Sequence, residues 1–534
     1  MHTPLATLLA RGYFPRELPP PFNTKKFGAF SNTAPDVFYL DISQNGKKNN
    51  FNSRPAVHNQ ARTGTLRRKL TIPNPVNQYQ VARAVVEGWP ELKAACRLSS
   101  ISLTTPRYLK HGARAINPLS PFDAIPVARA RSRTASRYLL ETDLSQFYQS
   151  IYTHSIPWAL HTKEMAKAKP LDYSLRGNVL DLAVRNGQDK QTIGIPIGPD
   201  TSLVIAEAIL SSVDAQLAGA IIQRGFRYID DIACGFRTVA EAEETLGRLQ
   251  QLIGDLQLQL NPRKTRIVEL PSDLEAPWVT LLRLFTFRST NAGVQQTDVL
   301  SYFGRAFELA ASHSEEAILR YSVQRMRSVT ILEQNWRLYE SLLLQCLSVE
   351  PGTAPSVIGE LYKYHLSMPI DRKRITESLQ QLIEDHAPLH HGSEVVWALW
   401  GAISLDCVLD AKVIEKSLLA SDPCVSLCAL HMRAKGLVAG SADFSCLEAL
   451  MHDNELTDTQ WLLVYEANMK GWLPTKDGND FVSANKYFGP MKRAGVSFYD
   501  DTATLPVTVK LVGQGGSNDD FDLDYMYLAG AVFE

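Results

Sequence analysis

The chain has 534 residues, 45% of them apolar and 21% charged, with a formal net charge of −1. That length exceeds one ordinary core and predicts two or three domains, while the composition excludes a disordered or collagen-like chain. The near-neutral total hides a basic stretch: Arg107, Lys110, Arg114, Arg129, Arg131, Arg133 and Arg137 stand against one acid, Asp123, which suits a polyanion such as RNA. The far C-terminus is acidic, with Asp519, Asp520, Asp522, Asp524 and Glu534. Cysteines are seven, an odd number set mostly among apolar residues, as in a reduced cytoplasmic protein rather than a disulfide framework. The brief apolar run Leu5 to Ala10 has no charged n-region before it and no small-residue cleavage site, and no stretch reaches the length of a membrane span. A soluble, cytoplasmic protein is expected.

Residues 1–60 are rich in Pro, Asn and aromatics, which predicts an extended arm laid over another surface. Arg67-Arg68-Lys69-Leu70-Thr71-Ile72 reads as a short strand whose cations suit a triphosphate if they face a pocket. A helix follows from Gln78 to Trp89, with Pro90 as its stop. Leu139 to Thr142 reads as a strand leaving the core, with Asp143 at its end and Phe147 and Tyr148 just beyond. Gln191 to Ser202 holds Gly194, Pro196, Gly198 and Pro199, a loop whose backbone can approach a ligand closely. Asp200, Thr201 or Ser202 can cap the apolar helix that runs to about Leu217.

Tyr228-Ile229-Asp230-Asp231 then falls between an apolar approach (Ala220, Ile221, Ile222, Phe226) and an apolar exit (Ile232, Ala233). Adjacent carboxylates at a hairpin turn repel each other, so a fold that keeps them usually gives them a cation. An amphipathic helix from Val239 to Leu256 and a turn, Leu260-Asn261-Pro262-Arg263-Lys264-Thr265, lead into a strand from Arg266 to Leu270. This order is that of an α/β palm. Asp143 and Asp230 on separate strands, supported by Asp231, suit a pair of Mg²⁺ ions (with Mn²⁺ as a substitute) that serves in-line nucleotidyl transfer.

From about 295 to 475 helical periodicities recur: Glu315–Val329, Asn335–Leu347, Pro355–Ser367, Arg374–Asp385, Glu394–Ile403, Val413–Leu419, Val425–Ala434 and Gln460–Gly471. They predict a stacked α-helical array of the HEAT type. Cys424, Cys428 and His431 share one helical stripe and read as core, not as a metal face; His386, His390 and His391 cluster near a loop. Val507 to Val512 is strand-like, and Gly513 to Asn518 tethers a tail carrying Tyr525 and Tyr527.

The segments beginning at Asp143, Gly194, Tyr228 and Leu260 resemble reverse transcriptase motifs A to D in order. The whole chain is similar to bacterial abortive-infection and defence-associated reverse transcriptases, through its Gly12-Tyr-Phe-Pro-Arg-Glu-Leu-Pro-Pro opening, its Ile72-Pro-Asn-Pro segment and helices where a thumb would be. The resemblance implies an α+β fold: an arm (1–60), fingers and palm (61–290), a HEAT-like helical domain replacing the thumb (291–475) and a mixed C-terminal segment (476–534). It implies that Asp143, Leu144, Asp230 and Asp231 hold metal, that Arg67, Arg68 and Lys69 meet a dNTP, and that Tyr148 is a gate against the 2′-hydroxyl. It also makes Lys264 a general acid toward pyrophosphate. It further implies antiphage DNA synthesis, with a noncoding RNA or template, a homotrimer or homohexamer, and priming from Tyr525, Tyr527 or Tyr39. One departure is Ile193, where reverse transcriptases usually carry Gln, with Gln191 two places earlier; this favours untemplated or biased synthesis. A retron-type or mobile-element enzyme copying RNA, and a catalytically silent RNA-binding scaffold, are the competing readings.

Overall fold

The computed structural model describes residues 3–43, 50–62, 64, 66–217, 224–288, 291–475 and 478–505. The strands before residue 270 are β1 (Ala56–Ala61), β2 (Arg67–Ile72), β3 (Pro106–Tyr108), β4 (Ile116–Pro118), β5 (Tyr138–Thr142), β6 (Gly225–Tyr228), β7 (Asp231–Phe236) and β8 (Arg266–Glu269); a short parallel pair, Leu409–Asp410 with Val438–Ala439, lies in the helical half. β1 and β2 form one antiparallel hairpin, and β3 and β4 another. The central sheet has the order β6-β7-β5-β8 and is antiparallel throughout. Leu139 and Leu140 on β5 are adjacent and both fully buried, so both faces of the sheet are covered there. Helix Val239–Asp255, started by a Thr238/Glu241 capping box, packs on β5 and β7, and helix Ala124–Ser132 packs on β6 and β7.

Helix Asp200–Leu217 carries acids at Asp200, Glu207 and Asp214. Seven residues is nearly two helical turns, so the three lie along one face. That face meets Arg227 of β6, whose side chain has no solvent exposure. Arg227 donates from Nη2 to Glu207 Oε1 at 2.8 Å, from Nη1 to Glu207 Oε2 at 3.0 Å and from Nε to Asp214 Oδ2 at 2.8 Å. Thr104 and Ser211 hydroxyls donate to the Glu207 carboxylate, and Ser99 to Asp214. Burial acts to raise the Glu207 pKa, yet Arg227 beside it holds the carboxyl below its ordinary value.

The N-terminal segment differs from the expected extended arm. Helices Pro4–Arg11 and Lys25–Phe30 form between the prolines, and Tyr13, Phe14, Phe22, Phe27 and Phe30 enter the core. Phe14 stacks on Phe498 at 5.7 Å and Phe22 meets Tyr499 edge-on at 5.0 Å. Backbone bonds run from Asn23 N to Phe498 O at 3.1 Å and from Asp500 N to Pro21 O at 2.8 Å. Pro90 does not simply end a helix: helix Pro75–Glu87 stops at Gly88, and Pro90 sits in the first turn of helix Trp89–Cys96, where its missing N–H is harmless.

The helical half keeps the expected periodicities as helices Ile318–Met326, Trp336–Val349, Ala354–His365, Arg372–His386, Gly392–Ser404, Ala411–Ser417, Pro423–Ala434 and Trp461–Lys470. Helix Ala292–Ser312, 21 residues long, was not among them. Helices pack on the next and the next but one: Trp336–Val349 on Ala354–His365 and Arg372–His386, Gly392–Ser404 on Pro423–Ala434. Gly392–Ser404 also packs on β1, where His58 Nδ1 lies 2.7 Å from Asp422 Oδ2 with both side chains buried. One contiguous apolar core therefore runs from Leu8 to Leu505. Cys424, Cys428 and His431 are buried within it, with His431 Nδ1 hydrogen-bonded to the Tyr499 hydroxyl at 2.9 Å. No helix among the described residues is long and apolar enough to cross a membrane.

Arg227→Ala leaves two carboxylates buried without their cation. It is expected to destabilise the protein by about 3–5 kcal/mol in urea titration, against less than about 0.5 kcal/mol for exposed Arg237→Ala. Equal effects of the two changes would contradict the network's role.

Candidate active site

The sheet register gathers the acids. Thr142 pairs with Ile232 across β5 and β7, so the next residues outward, Asp143 and Asp231, face each other. Residues opposed in this way lie about 4.5–5.5 Å apart at Cα. Tyr228 pairs with Asp231, leaving Ile229 and Asp230 as a two-residue turn. Ile229 has φ 55°, a left-handed conformation that costs a β-branched residue about 1–2 kcal/mol. The turn is held from below: the Ile229 amide donates to Thr104 Oγ1 at 3.1 Å, and its carbonyl accepts from Arg227 Nη1 at 2.8 Å. The buried ion-pair network thus reaches the Ile229–Asp230 turn directly.

The Asn-Pro turn is laid over Asp143. Asn261 N donates to Asp143 O at 2.7 Å, and the Thr142 and Thr265 hydroxyls are 2.7 Å apart. Lys264 Nζ consequently lies 2.5 Å from Asp143 Oδ2. The other oxygen, Asp143 Oδ1, is buried and accepts no hydrogen bond among the described residues. Burial and the neighbouring Asp143 push the Asp230 carboxyl up to about 6. Burial and the neighbouring Asp230 push Asp231 up to about 8. Three crowded carboxylates, one with an orphaned buried oxygen, are the donor set of a hard divalent cation, so the residues present fit Mg²⁺. Leu144 has its side chain in the core, leaving only its backbone carbonyl to contribute.

Asp143, Asp231 and Lys264 line a cleft of about 400 Å³. Its far wall is the β1–β2 hairpin, through Gln60, Arg62 and Arg68, joined by Glu17 and Arg320. Burial, then the nearby Arg62, hold the Arg68 pKa below its ordinary value; Asp230 and Tyr148 act on it with the opposite sign.

The Gly-Pro loop is fixed on three sides. Gly194 N donates to Ile151 O at 2.7 Å and Ile195 N to Tyr148 O at 2.8 Å, while Thr71 N of β2 donates to Ile197 O at 3.1 Å. Gly194 has φ 85°, and a Cβ there would sit 3.1 Å from Gln149 O. Asp200 does not cap its helix with its side chain: Oδ1 is 2.5 Å from Arg114 Nη2, and Oδ2 accepts from Ile116 N at 2.9 Å. Pro196 is half-buried in the same loop, and Tyr148 is half-buried with its ring 5.4 Å from that of Phe147, which is in the core.

Several expected ligand contacts are engaged elsewhere. Arg114 is buried against Asp200, and it also donates to Phe14 O at 2.6 Å, so it braces the loop instead of meeting a polyanion. Arg67 projects from the face of β2 opposite Arg68 and pairs with Glu394 of the helical half, its Nη2 at 2.9 Å from Oε2. Lys69 is exposed, as are Arg107, Lys110 and Arg131. Arg133 donates to Ser272 O at 2.6 Å, and Arg129 donates to Leu274 O at 2.6 Å while also lining the cleft. Tyr39 stacks on Tyr79 under Arg83 and does not line the cleft. Tyr525, Tyr527 and the strand expected at Val507 to Val512 lie outside the described residues. Gln60, Arg62 and Arg320 line the cleft without a sequence expectation, and Glu17 joins them from the quoted N-terminal opening with no site role expected; alternation along β1 could have found Gln60, which pairs with Arg68.

The raised carboxyls set a pH dependence. A folded state that binds a proton more tightly than the unfolded chain loses stability as pH rises from the ordinary carboxylate range, about 4, through the folded value. In metal-free buffer the wild type should therefore lose stability relative to Asp231→Asn between pH 4 and about 8. Mg²⁺ should raise the wild-type melting temperature more at pH 8 than at pH 5, and that of Asp231→Asn less. A wild-type melting temperature indifferent to Mg²⁺ at pH 8 would contradict the metal assignment.

Comparison with known proteins agrees with this geometry. Residues 93–304 match the family described as reverse transcriptase (RNA-dependent DNA polymerase), a span that holds Asp143, Asp230, Asp231 and Lys264. No curated protein matches the chain. Domains of this family generally use divalent metal ions and take nucleotides and a nucleic-acid template as substrates. The chain thus carries a reverse transcriptase domain and is an RNA-directed DNA polymerase, a nucleotidyltransferase.

Proposed function

We propose that the chain is an antiphage defence reverse transcriptase that joins deoxynucleotides in the Asp143–Asp230–Asp231 cleft. Its synthesis is untemplated or strongly biased, starts from a tyrosine of the chain and involves an associated noncoding RNA. The observation that carries the chemistry is the convergence of three carboxylates and Lys264 from three separate segments, with Asp143, Asp231 and Lys264 lining one cleft and Asp230 beside them. When bound, a Mg²⁺ or Mn²⁺ pair supplies charge neutralisation at the transferring phosphate and activates the attacking hydroxyl. Asp143 and Asp230 hold it from adjoining strands, with Asp231 in support. Lys264, poised at Asp143 Oδ2, gives its proton to departing pyrophosphate. Arg68 neutralises the triphosphate from the hairpin, and Tyr148, within electrostatic reach of Arg68, bars a 2′-hydroxyl.

Two features favour departure from ordinary templated copying. Ile193 is 58% exposed and offers no hydrogen bond where reverse transcriptases carry an amide. A cleft of about 400 Å³ suits one nucleotide, and its wall includes a residue of the helical half in place of a thumb. We read that half as a HEAT-like stack, on the next-but-one packing of its helices.

Incubation with labelled dNTP tests the reading. Wild type should incorporate label that stays on the protein in denaturing gels, and Asp230→Ala/Asp231→Ala should incorporate at least about 10³-fold less. Tyr525→Phe/Tyr527→Phe should abolish the protein-bound label. Equal incorporation by the double alanine variant would refute the catalytic assignment. Product copied from a defined RNA would instead support a retron-type enzyme.

A further inference from the structure

Three ligand atoms converge where helix Arg372–His386 gives way to helix Gly392–Ser404. His386 Nδ1 lies 2.9 Å from His391 Nδ1, and Glu394 Oε1 lies 3.7 Å from each. His386 ends the first helix, His391 precedes the second and Glu394 stands in its first turn. Between them His390 has φ 55°, a left-handed turn that returns the His391 amide to His386 O at 3.2 Å. Hydrogen bonding alone does not account for the cluster, because 3.7 Å is too long for it. A triangle with these three sides has its centre about 2.0 Å from every corner, the length of a zinc–nitrogen or zinc–oxygen bond.

The surroundings hold the donors in place. The His386 and His391 side chains are 20% and 22% exposed, which admits an ion from solvent, while Glu394 is buried. Arg67 donates to both Glu394 oxygens, and Ser393 Oγ adds a second bond to Oε2 at 2.6 Å. Oε1 therefore keeps a lone pair, and it is the oxygen nearer both imidazoles. Ser393 Oγ also accepts from Ala61 N at 2.8 Å, and Asn59 Nδ2 donates to His390 O at 2.7 Å. Outer contacts of this kind orient metal ligands, and here Asn59, Ala61 and Arg67 all come from the β1–β2 hairpin.

We propose that His386, His391 and Glu394 bind a Zn²⁺ ion that fastens the β1–β2 hairpin to the helical half. Two imidazoles and one carboxylate are a zinc donor set with the fourth position left to water, whereas Mg²⁺ takes oxygen ligands. Without the ion, one Nδ1 carries the hydrogen shared between the rings. With it, both rings carry their hydrogen on Nε2 and neither changes charge. None of the three ligands lines the polymerase cleft, so the proposal stands apart from the nucleotidyl-transfer reading. It bears on that cleft only through the hairpin, whose other face presents Arg68.

The full-length chain is stripped with EDTA, held in excess Mg²⁺ to occupy the carboxylate cleft, and titrated with Zn²⁺ by calorimetry. Wild type should bind with a dissociation constant of about 1 μM or below. His386→Ala/His391→Ala should weaken that binding at least about 100-fold. His390→Asn keeps the left-handed turn and all three donors, so its affinity should stay within about twofold of wild type. Zn²⁺ should also slow hydrogen exchange of the β1 and β2 amides in wild type and leave it unchanged in the double variant. Should the double variant not fold, His391→Gln takes its place with the same expectations. A wild type that does not bind Zn²⁺, or a ligand variant that binds it equally well, would overturn the site. Hairpin exchange indifferent to Zn²⁺ in wild type would overturn the fastening role.

Discussion

The cleft depends on a guanidinium that does not line it. Arg227 lies beneath the Ile229–Asp230 turn, fully enclosed, and spends every hydrogen bond it can make on Glu207, Asp214, Ser211 and the Ile229 carbonyl. Such a group is tolerated in an apolar interior only where geometry satisfies it completely, so it permits one arrangement of β6 against helix Asp200–Leu217. That arrangement holds Ile229 in a backbone conformation it would otherwise leave, and so aims Asp230. The same helix begins at Asp200, where Arg114 ties it to the Gly-Pro loop. One helix face, marked by acids every seventh residue, therefore sets the spacing between the turn that carries the carboxylates and the Gly-Pro loop.

What the sequence disclosed was what local pattern can carry. The hairpin at Tyr228, the strand before Asp143, the Asn-Pro turn and most of the later helices lie within a few residues of where periodicity and turn chemistry set them. What escaped was pairing across long separations. Arg114 belonged to a basic run that suggested a polyanion, but its partner is Asp200, 86 residues on, and nothing near Arg114 announces that. Arg67 looked equivalent to Arg68, yet opposite faces of one strand sent the first to Glu394 and the second to the cleft. The acids at Asp200, Glu207 and Asp214 were visible as a heptad spacing all along, but only the buried Arg227 gives that spacing a meaning.

The two halves share more than a boundary. His58 of β1 meets Asp422, Trp461 Nε1 donates to Ile72 O at 3.2 Å, and Arg67 meets Glu394, so the fingers hairpin is as much a part of the helical half as of the palm. A movable thumb would need a hinge at this place. The described residues instead offer a continuous apolar core and buried polar links, which favour a cleft of fixed width.

The aromatic cluster that joins Phe14, Phe22 and Phe27 to Phe498 and Tyr499 bears on how the molecule comes into being. A ribosome makes the first three several hundred residues before the last two, an interval of roughly half a minute or more at about 5–20 residues per second. Throughout it, Tyr13, Phe14, Phe27 and Phe30 have one another to pack against but not Phe498 or Tyr499. The cluster is thus half-built for most of the protein's synthesis, and it closes only when the far end of the chain emerges to cover it.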